Sequence, residues 1–265
     1  MDLKNIIRAD VYRLKRGSAV RNVLLAGMTI ILITGMNMLN SGSGFGGVGV
    51  QSTASAARSL PANGGAFVQQ MRDDGLFPFF ILTFAVAILG ADYSAGTIRN
   101  SLSYFVDRKQ VYLAKCITGV LCCFTYTVCC LFVSAVAGII LFGFGGFTFG
   151  LLLRMMIQIV LSVPLYIGMI AIGYLLLVFS KKTSITIAAY LIGLIVFPSV
   201  TYQLYQLFPK AEWLKLCDPL SSFSMMARFW DFPFLYVGLV LLFWMVLDGL
   251  ILYLGLRSYS KSDIT

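Results

Sequence analysis

Long apolar runs are the feature that most restricts what this chain can fold into. They recur along 265 residues, of which 59% are hydrophobic and 12% charged, whereas soluble domains carry about 25% charged residues. Hydrocarbon offers no partner to a bare backbone N–H or C=O group, so such runs are expected to be helices. We predict an all-α integral membrane protein, a single transmembrane domain over residues 1–265. Its six spans are expected at about 23–39, 76–91, 112–142, 151–179, 184–207 and 232–256.

The segments that connect the spans differ in composition. Residues 1–21 are basic and place Leu3, Ile7, Val11 and Leu14 on one helical face, which predicts an interfacial helix on the inner leaflet. Residues 40–72 are rich at their start in Gly, Ser and Ala and are expected to form an external loop.

Residues 208–231 mix charged and apolar side chains and contain Trp213 and Trp230. The segment is too polar to span a bilayer and too apolar to stay in water. Tryptophan is enriched at membrane interfaces. We therefore predict external re-entrant helices between the fifth and sixth spans.

The distribution of basic residues predicts the orientation. With the N-terminus inside, fourteen Lys and Arg residues fall in cytoplasmic segments and six in external ones. This positive-inside bias predicts cytoplasmic termini and accounts for the net charge of +9 without a nucleic-acid partner. The cytoplasmic set is Lys4, Arg8, Arg13, Lys15, Arg16, Arg21, Arg99, Arg108, Lys109, Lys115, Lys181, Lys182, Arg257 and Lys261, and the external set is Arg58, Arg72, Arg154, Lys210, Lys215 and Arg228.

Several kinds of chemistry are excluded or disfavoured by the residues present. The chain contains no histidine, which removes the common zinc and haem ligand sets and imidazole-based triads. It has no G-x-x-x-x-G-K-[ST] loop for nucleotide phosphates. Five of the six cysteines lie in residues 116–130, which favours packing between helices over a redox or metal site. We expect no catalysis, cofactor or metal in this chain itself.

Three polar residues are candidates for a transport path. Asp248 precedes Arg257 by nine residues, which places it roughly 13 Å from the inner end of its helix. Such a carboxylate pairs with a base, binds a cation, passes a proton, or makes a structural hydrogen bond. Arg154 and Gln158, one turn apart, either line a path or lie at the outer headgroups.

One stretch between the second and third spans, residues 92–109, is polar enough to lie in the cytosol. Its Ala95, Ile98, Leu102 and Phe105 recur at three- and four-residue steps, which is typical of an amphipathic helix. The helix either docks a soluble partner or rests on lipid headgroups.

This stretch reads Asp92-Tyr-Ser-Ala-Gly-Thr-Ile-Arg-Asn-Ser-Leu-Ser and continues through Asp107-Arg-Lys into a long third span. Together with the basic N-terminal helix and the external loop, it resembles the ABC-2 type permeases, the membrane subunits of bacterial ABC exporters. That family commonly has an acidic residue plus Tyr, then Gly-Thr-Ile/Leu-Arg/Lys, at this position. Asp92 stands here where Glu is frequent, which shortens the reach of any charge contact.

The resemblance implies a cytoplasmic coupling helix at residues 92–109, seated in a groove of a separate ABC ATPase that binds ATP and Mg²⁺. It also implies a second permease subunit, identical or related, and a bacterial cell-membrane location. The compact form looks most like permeases for lantibiotic, bacitracin-type or phenol-soluble-modulin peptides, which implies export of, or immunity to, amphipathic peptides. A secondary transporter or channel that uses Asp248 for an ion or proton is the alternative, and a membrane enzyme or non-transporting membrane subunit is a third class. The implied coupling residues are Asp92, Tyr93, Gly96, Thr97, Ile98, Arg99, Leu102 and Phe105.

Overall fold

The computed structural model describes residues 3–16, 18–41, 61–73, 108–207 and 218–261. Every regular element within these ranges is helical, which confirms the predicted all-α class for them. A 3-10 turn, Phe229–Asp231, precedes the last helix. In chain order the helices are α1 (Leu3–Arg16), α2 (Ser18–Ser41), α3 (Gly64–Asp73), α4 (Arg108–Phe142), α5 (Phe149–Leu161), α6 (Val163–Ser180), α7 (Thr183–Leu207), α8 (Pro219–Ala227) and α9 (Phe234–Lys261).

Among the residues that the structure describes, four helical stretches are long and apolar enough to cross a membrane. They are Lys109–Phe142, Phe149–Ser180, Thr183–Leu207 and Phe234–Ser260, and they coincide with the third to sixth predicted spans. α2 covers the first predicted span, although its apolar part, Arg21–Met36, is shorter. The second predicted span, at 76–91, lies outside the described residues, so the total of six stays a prediction.

α6 and α9 pack against each other along much of their length. Leu165 and Met169 on α6 and Val240 and Trp244 on α9 are almost completely buried in one core cluster. A Cβ atom at Gly168 would overlap both the Trp244 ring and the Asp248 carboxylate. Small residues of this kind let membrane helices approach closely, and here glycine sets the separation of the two helices.

α3 lies within the segment whose composition predicts an external loop, residues 40–72. Its Phe67 and Val68 are completely inaccessible, and the helix packs on α4. The Gly64 N–H donates to the Gly143 carbonyl at 3.2 Å, and a Cβ at Gly138 would lie 2.8 Å from the Gly64 carbonyl oxygen. At this contact glycine permits close backbone approach rather than flexibility, two uses that composition does not distinguish.

The fourth predicted span is divided at Ser162, between α5 and α6. Pro164 has no N–H for the Val160 carbonyl and its ring crowds that oxygen, which breaks a helix. The Ser162 N–H still donates to the Gln158 carbonyl at 2.9 Å, so the break is short. By contrast, α7 continues through Pro198 to its end at residue 207, and Pro198 does not end the helix.

α8 begins at a well-formed N-cap. The Asp218 carboxylate accepts hydrogen bonds from the Leu220 N–H at 3.1 Å and the Ser221 N–H at 3.3 Å, as acidic caps do. The helix contacts α3, α5, α6, α7 and α9, and it buries Phe223 and Met226. The external, re-entrant position of residues 208–231 stays a prediction.

α1 packs on α4 rather than standing apart from the protein. Ile7 and Leu14, from the predicted apolar face, are half-buried, but Val11 of that face is 43% exposed. Asp10 is buried instead. The face of α1 that packs on α4 therefore includes Asp10, a contact that the apolar pattern of α1 does not reveal, and the interfacial position of the helix stays a prediction.

Candidate functional site

The eight predicted coupling residues, Asp92, Tyr93, Gly96, Thr97, Ile98, Arg99, Leu102 and Phe105, lie outside the described residues. The last two residues of that segment, Arg108 and Lys109, form the first turn of α4. The described chain therefore enters a 35-residue helix directly from the predicted coupling segment. The surroundings of this N-terminal end of α4 are the first candidate functional region.

A buried ion pair joins α1 to α4 near that end. The Lys115 ammonium donates to Asp10 Oδ1 at 2.6 Å, and the two side chains are only 9% and 8% exposed. Charge-assisted hydrogen bonds of this length are among the strong ones. Sequence reasoning treated Lys115 as one of the cytoplasmic charges and missed Asp10. The sequence feature that points to a buried partner is the position of Asp10 itself, an acidic residue between Ile7 and Leu14 on the apolar side of α1.

Three tyrosines connect the α4 side of this ion pair to α6 and α9. The Tyr174 hydroxyl donates to the Lys115 backbone carbonyl at 3.0 Å. The Tyr112 ring meets Tyr174 edge-on with centroids 6.3 Å apart and Tyr259 at 5.7 Å. Gly255 leaves room for the Tyr112 hydroxyl. We call this group the four-helix junction, since Asp10, Tyr112, Lys115, Tyr174, Gly255 and Tyr259 join α1, α4, α6 and α9.

Asp248 is the second candidate region, on α9. Its side chain is buried beside Gly168 and Trp244, with the residue 6% exposed. Its Oδ1 has no hydrogen-bond partner among the residues that the structure describes. A carboxyl group in such surroundings either pairs with a counter-ion or takes up a proton and becomes neutral, because burying an isolated charge is costly.

Buried hydrogen bonds connect the helices around Asp248. The Trp244 indole N–H donates to Ser222 Oγ at 3.1 Å and links α9 to α8. The hydroxyls of Thr127 and Tyr166 lie 3.0 Å apart and link α4 to α6. The Tyr190 hydroxyl donates to the Met169 carbonyl and links α7 to α6. Buried polar contacts of this kind hold membrane helices in defined positions.

The other two candidate path residues lie on α5. The Arg154 guanidinium stacks on the Trp230 ring, 4.8 Å from its centroid, in a cation–π contact. Gln158, one turn on, has a buried Oε1 atom without a hydrogen-bond partner in the described part of the chain. No hydrogen bond within those residues joins Asp248 Oδ1 to Arg154 or Gln158. The role of these three residues in a transport path stays a prediction.

Five cysteines lie on α4. Cys116, Cys123 and Cys130 are buried, while Cys122 and Cys129 are half-buried. Cys116 and Cys123 belong to the same core cluster as Tyr174 and Leu177. Their position agrees with the packing role expected of them, and Cys217 lies outside the described residues.

These features define an α-helical integral membrane protein whose long apolar helices are joined by buried polar contacts. A model of a family described as ABC-2 family transporter protein matches residues 12–263, nearly the whole chain. The chain belongs to this family and is therefore a transmembrane subunit of an ABC transporter. In this family ATP hydrolysis belongs to a partner ABC ATPase and not to the membrane subunit. No curated protein matches the chain.

Proposed function

We propose that this protein is the permease subunit of an ATP-driven exporter of hydrophobic or amphipathic peptides. Membership of the ABC-2 family, over residues 12–263, is the observation that carries the proposal. Export or immunity toward antimicrobial or toxin peptides is the activity that we infer. Two permease chains pair in the bacterial membrane, each with one ABC ATPase.

The proposed docking element for the ATPase is the segment 92–109. Its apolar Ile98, Leu102 and Phe105 suit a hydrophobic groove, as in other helix-in-groove contacts, and Asp92 and Arg99 suit the rim. Lys115 lies seven residues beyond Arg108 on α4, roughly 10 Å along the helix. A force applied at the segment therefore reaches the four-helix junction through one continuous helix.

The test of docking uses the purified complex of permease and ATPase in proteoliposomes. We expect Ile98→Asp and Phe105→Asp to abolish co-purification of the ATPase and its stimulation by the permease. Asn100→Asp is the matched control, because it adds the same charge on the opposite side of the predicted helix. If the two apolar-face variants bind and stimulate the ATPase as the wild type does, the docking assignment is wrong.

The proposed cargo rests on composition. The chain has 21 Phe and 11 Met residues and few charges, and methionine-rich surfaces adapt to apolar ligands of varied shape. Inverted membrane vesicles that accumulate a fluorescent amphipathic peptide upon ATP addition would support export. Uptake of the same peptide by right-side-out vesicles would reverse the proposed direction.

A second candidate function is ion- or proton-coupled transport through Asp248. The observation that favours it is the buried carboxylate whose Oδ1 lacks a hydrogen-bond partner in the described residues. Transport that continues after ATP depletion, and stops when the ion gradient is collapsed and in Asp248→Asn, supports this candidate. Transport that needs ATP and is unchanged in Asp248→Asn excludes it.

A further inference from the structure

Asp10 and Lys115 form a buried polar contact between α1 and α4. Three other side chains of α1 that the structure describes, Ile6, Ile7 and Leu14, are half-buried and apolar. Apolar contacts are non-directional, so they restrain the relative position of two helices along the axis less strictly than a hydrogen bond does. A short, charge-assisted hydrogen bond between two buried groups does fix it.

Lys115 is bonded from two sides at once. Its side chain binds Asp10 on α1, and its backbone carbonyl accepts the Tyr174 hydroxyl of α6. One residue of α4 thus connects the helix that follows segment 92–109 to two further helices. α1 in turn ends at Arg16, and α2 begins at Ser18, so a displacement of α1 also displaces the start of α2.

We propose that the Asp10–Lys115 ion pair is a positioning contact that makes α1 follow the N-terminal end of α4 during the ATP cycle. The inference rests on the proposed docking of an ATPase at residues 92–109. ATP-driven movement of that segment shifts α4, and the ion pair transfers the shift to α1 and α2. Asp10 and Lys115 touch neither cargo nor nucleotide, and they act through the helices that they join.

The alternative is that the ion pair only holds α1 in place. The two roles separate when both charges are removed together. Replacing a buried ion pair with apolar residues of similar size is often neutral or stabilising, whereas removing one partner leaves an uncompensated buried charge. An apolar pair therefore keeps α1 docked but no longer fixes its position along α4.

The experiment uses the full permease–ATPase complex in proteoliposomes. The variants are Asp10→Asn, Lys115→Gln, the charge exchange Asp10→Lys with Lys115→Asp, and the apolar double Asp10→Leu with Lys115→Met. Lys15→Met is the control, since it removes an exposed cation from the same helix. The readouts are the amount of ATPase bound, the Tm of the permease, and kcat and KM for ATP.

We expect each single change and the apolar double to lower kcat on the order of tenfold, within the usual range of a coupling between two sites. KM for ATP and the amount of bound ATPase are expected to stay unchanged, because the nucleotide site lies on the other subunit. We expect the charge exchange to restore kcat. The apolar double variant is expected to keep the wild-type Tm while its kcat stays low. Lys15→Met behaves as the wild type.

Two results would overturn the inference while leaving the proposed function intact. One is an apolar double variant with wild-type kcat, which would make the ion pair a plain anchor. The other is a charge exchange that folds and binds the ATPase but fails to recover kcat. If no ATPase binds even the wild-type chain, the proposed function fails first and the inference fails with it.

Discussion

At the scale of single residues, Gly168 determines how closely α6 and α9 approach. Any larger side chain at this position would overlap Trp244 and Asp248 at once. Trp244 also donates to Ser222 on α8, so a displacement here reaches a third helix. Gly193, on α7, has open space around its Cβ direction. The two glycines therefore form a matched pair for a substitution test.

We predict that Gly168→Leu lowers the free energy of unfolding by about 1–3 kcal/mol or more, as overpacking of a closed core does. The same substitution at Gly193 should change the free energy of unfolding little, because Gly193 is also helical but has open space around its Cβ direction. Thermal unfolding of the detergent-solubilised protein measures both. Equal shifts for the two variants would contradict the close packing of α6 on α9.

The sequence predicts some of these residues and not others, for a physical reason. An acidic residue inside a long apolar run is recognisable because lipid penalises it, and Asp248 is indeed buried at 6% exposure. The partnership of Asp10 with Lys115 joins residues 105 positions apart, so it depends on how α1 and α4 pack. No pattern within either helix reveals it. The same holds for the contact of Arg154 with Trp230.

At the scale of elements, α3 shows how much a short helix contributes when it is buried. The Phe67 ring stacks on Phe142 of α4 with centroids 5.2 Å apart. Phe67 and Met71 also form a core cluster with Ile31 and Tyr126, from α2 and α4. α3 thus shares a core cluster with α2 and α4, which also pack on each other directly.

We expect Phe67→Ala to lower the free energy of unfolding by about 3–5 kcal/mol, the usual effect of deleting a buried aromatic ring. Phe132→Ala is the control, since Phe132 is 70% exposed on α4. Chemical denaturation of both variants in the same detergent provides the comparison. A loss at Phe132 as large as that at Phe67 would show that α3 does not pack as described.

The long helices are the elements that the sequence predicts best. Four predicted spans match described helices because an apolar run of membrane length has few alternatives to a helix. α3 has only ten residues and includes Gln69, Gln70 and Arg72, so neither length nor hydropathy distinguishes it from a loop. The sequence also predicts one continuous span over 151–179, whereas the structure divides it at Ser162. A proline inside a span signals a kink, but its effect depends on local hydrogen bonding, and Pro198 leaves α7 continuous.

At the scale of the whole molecule, α7 is the least buried of the four membrane-length stretches among the described residues. Only 17% of the residues in its apolar window are buried, compared with 56% for the stretch that contains α5 and α6. We propose that lipid or a second permease copy covers the remaining apolar surface. Family membership implies an ABC ATPase partner, and we propose that two ATPases require two permeases.

We predict that the intact complex contains two permease chains and two ATPase chains. Native mass spectrometry of the complex released from nanodiscs gives the count directly. A related second permease in place of an identical one would appear as a distinct mass with the same total of four chains. A particle with a single permease chain would contradict the paired arrangement.

The buried ion pair also determines the order in which the protein is completed during synthesis. Asp10 leaves the ribosome 105 residues before Lys115, an interval of about 5–20 s at ordinary elongation rates. During that interval α1 carries an acidic residue whose final partner does not yet exist, so its native docking waits for α4 to be inserted. α1 therefore reaches its final place only once α4 has been made, while α5 to α9 are still to follow.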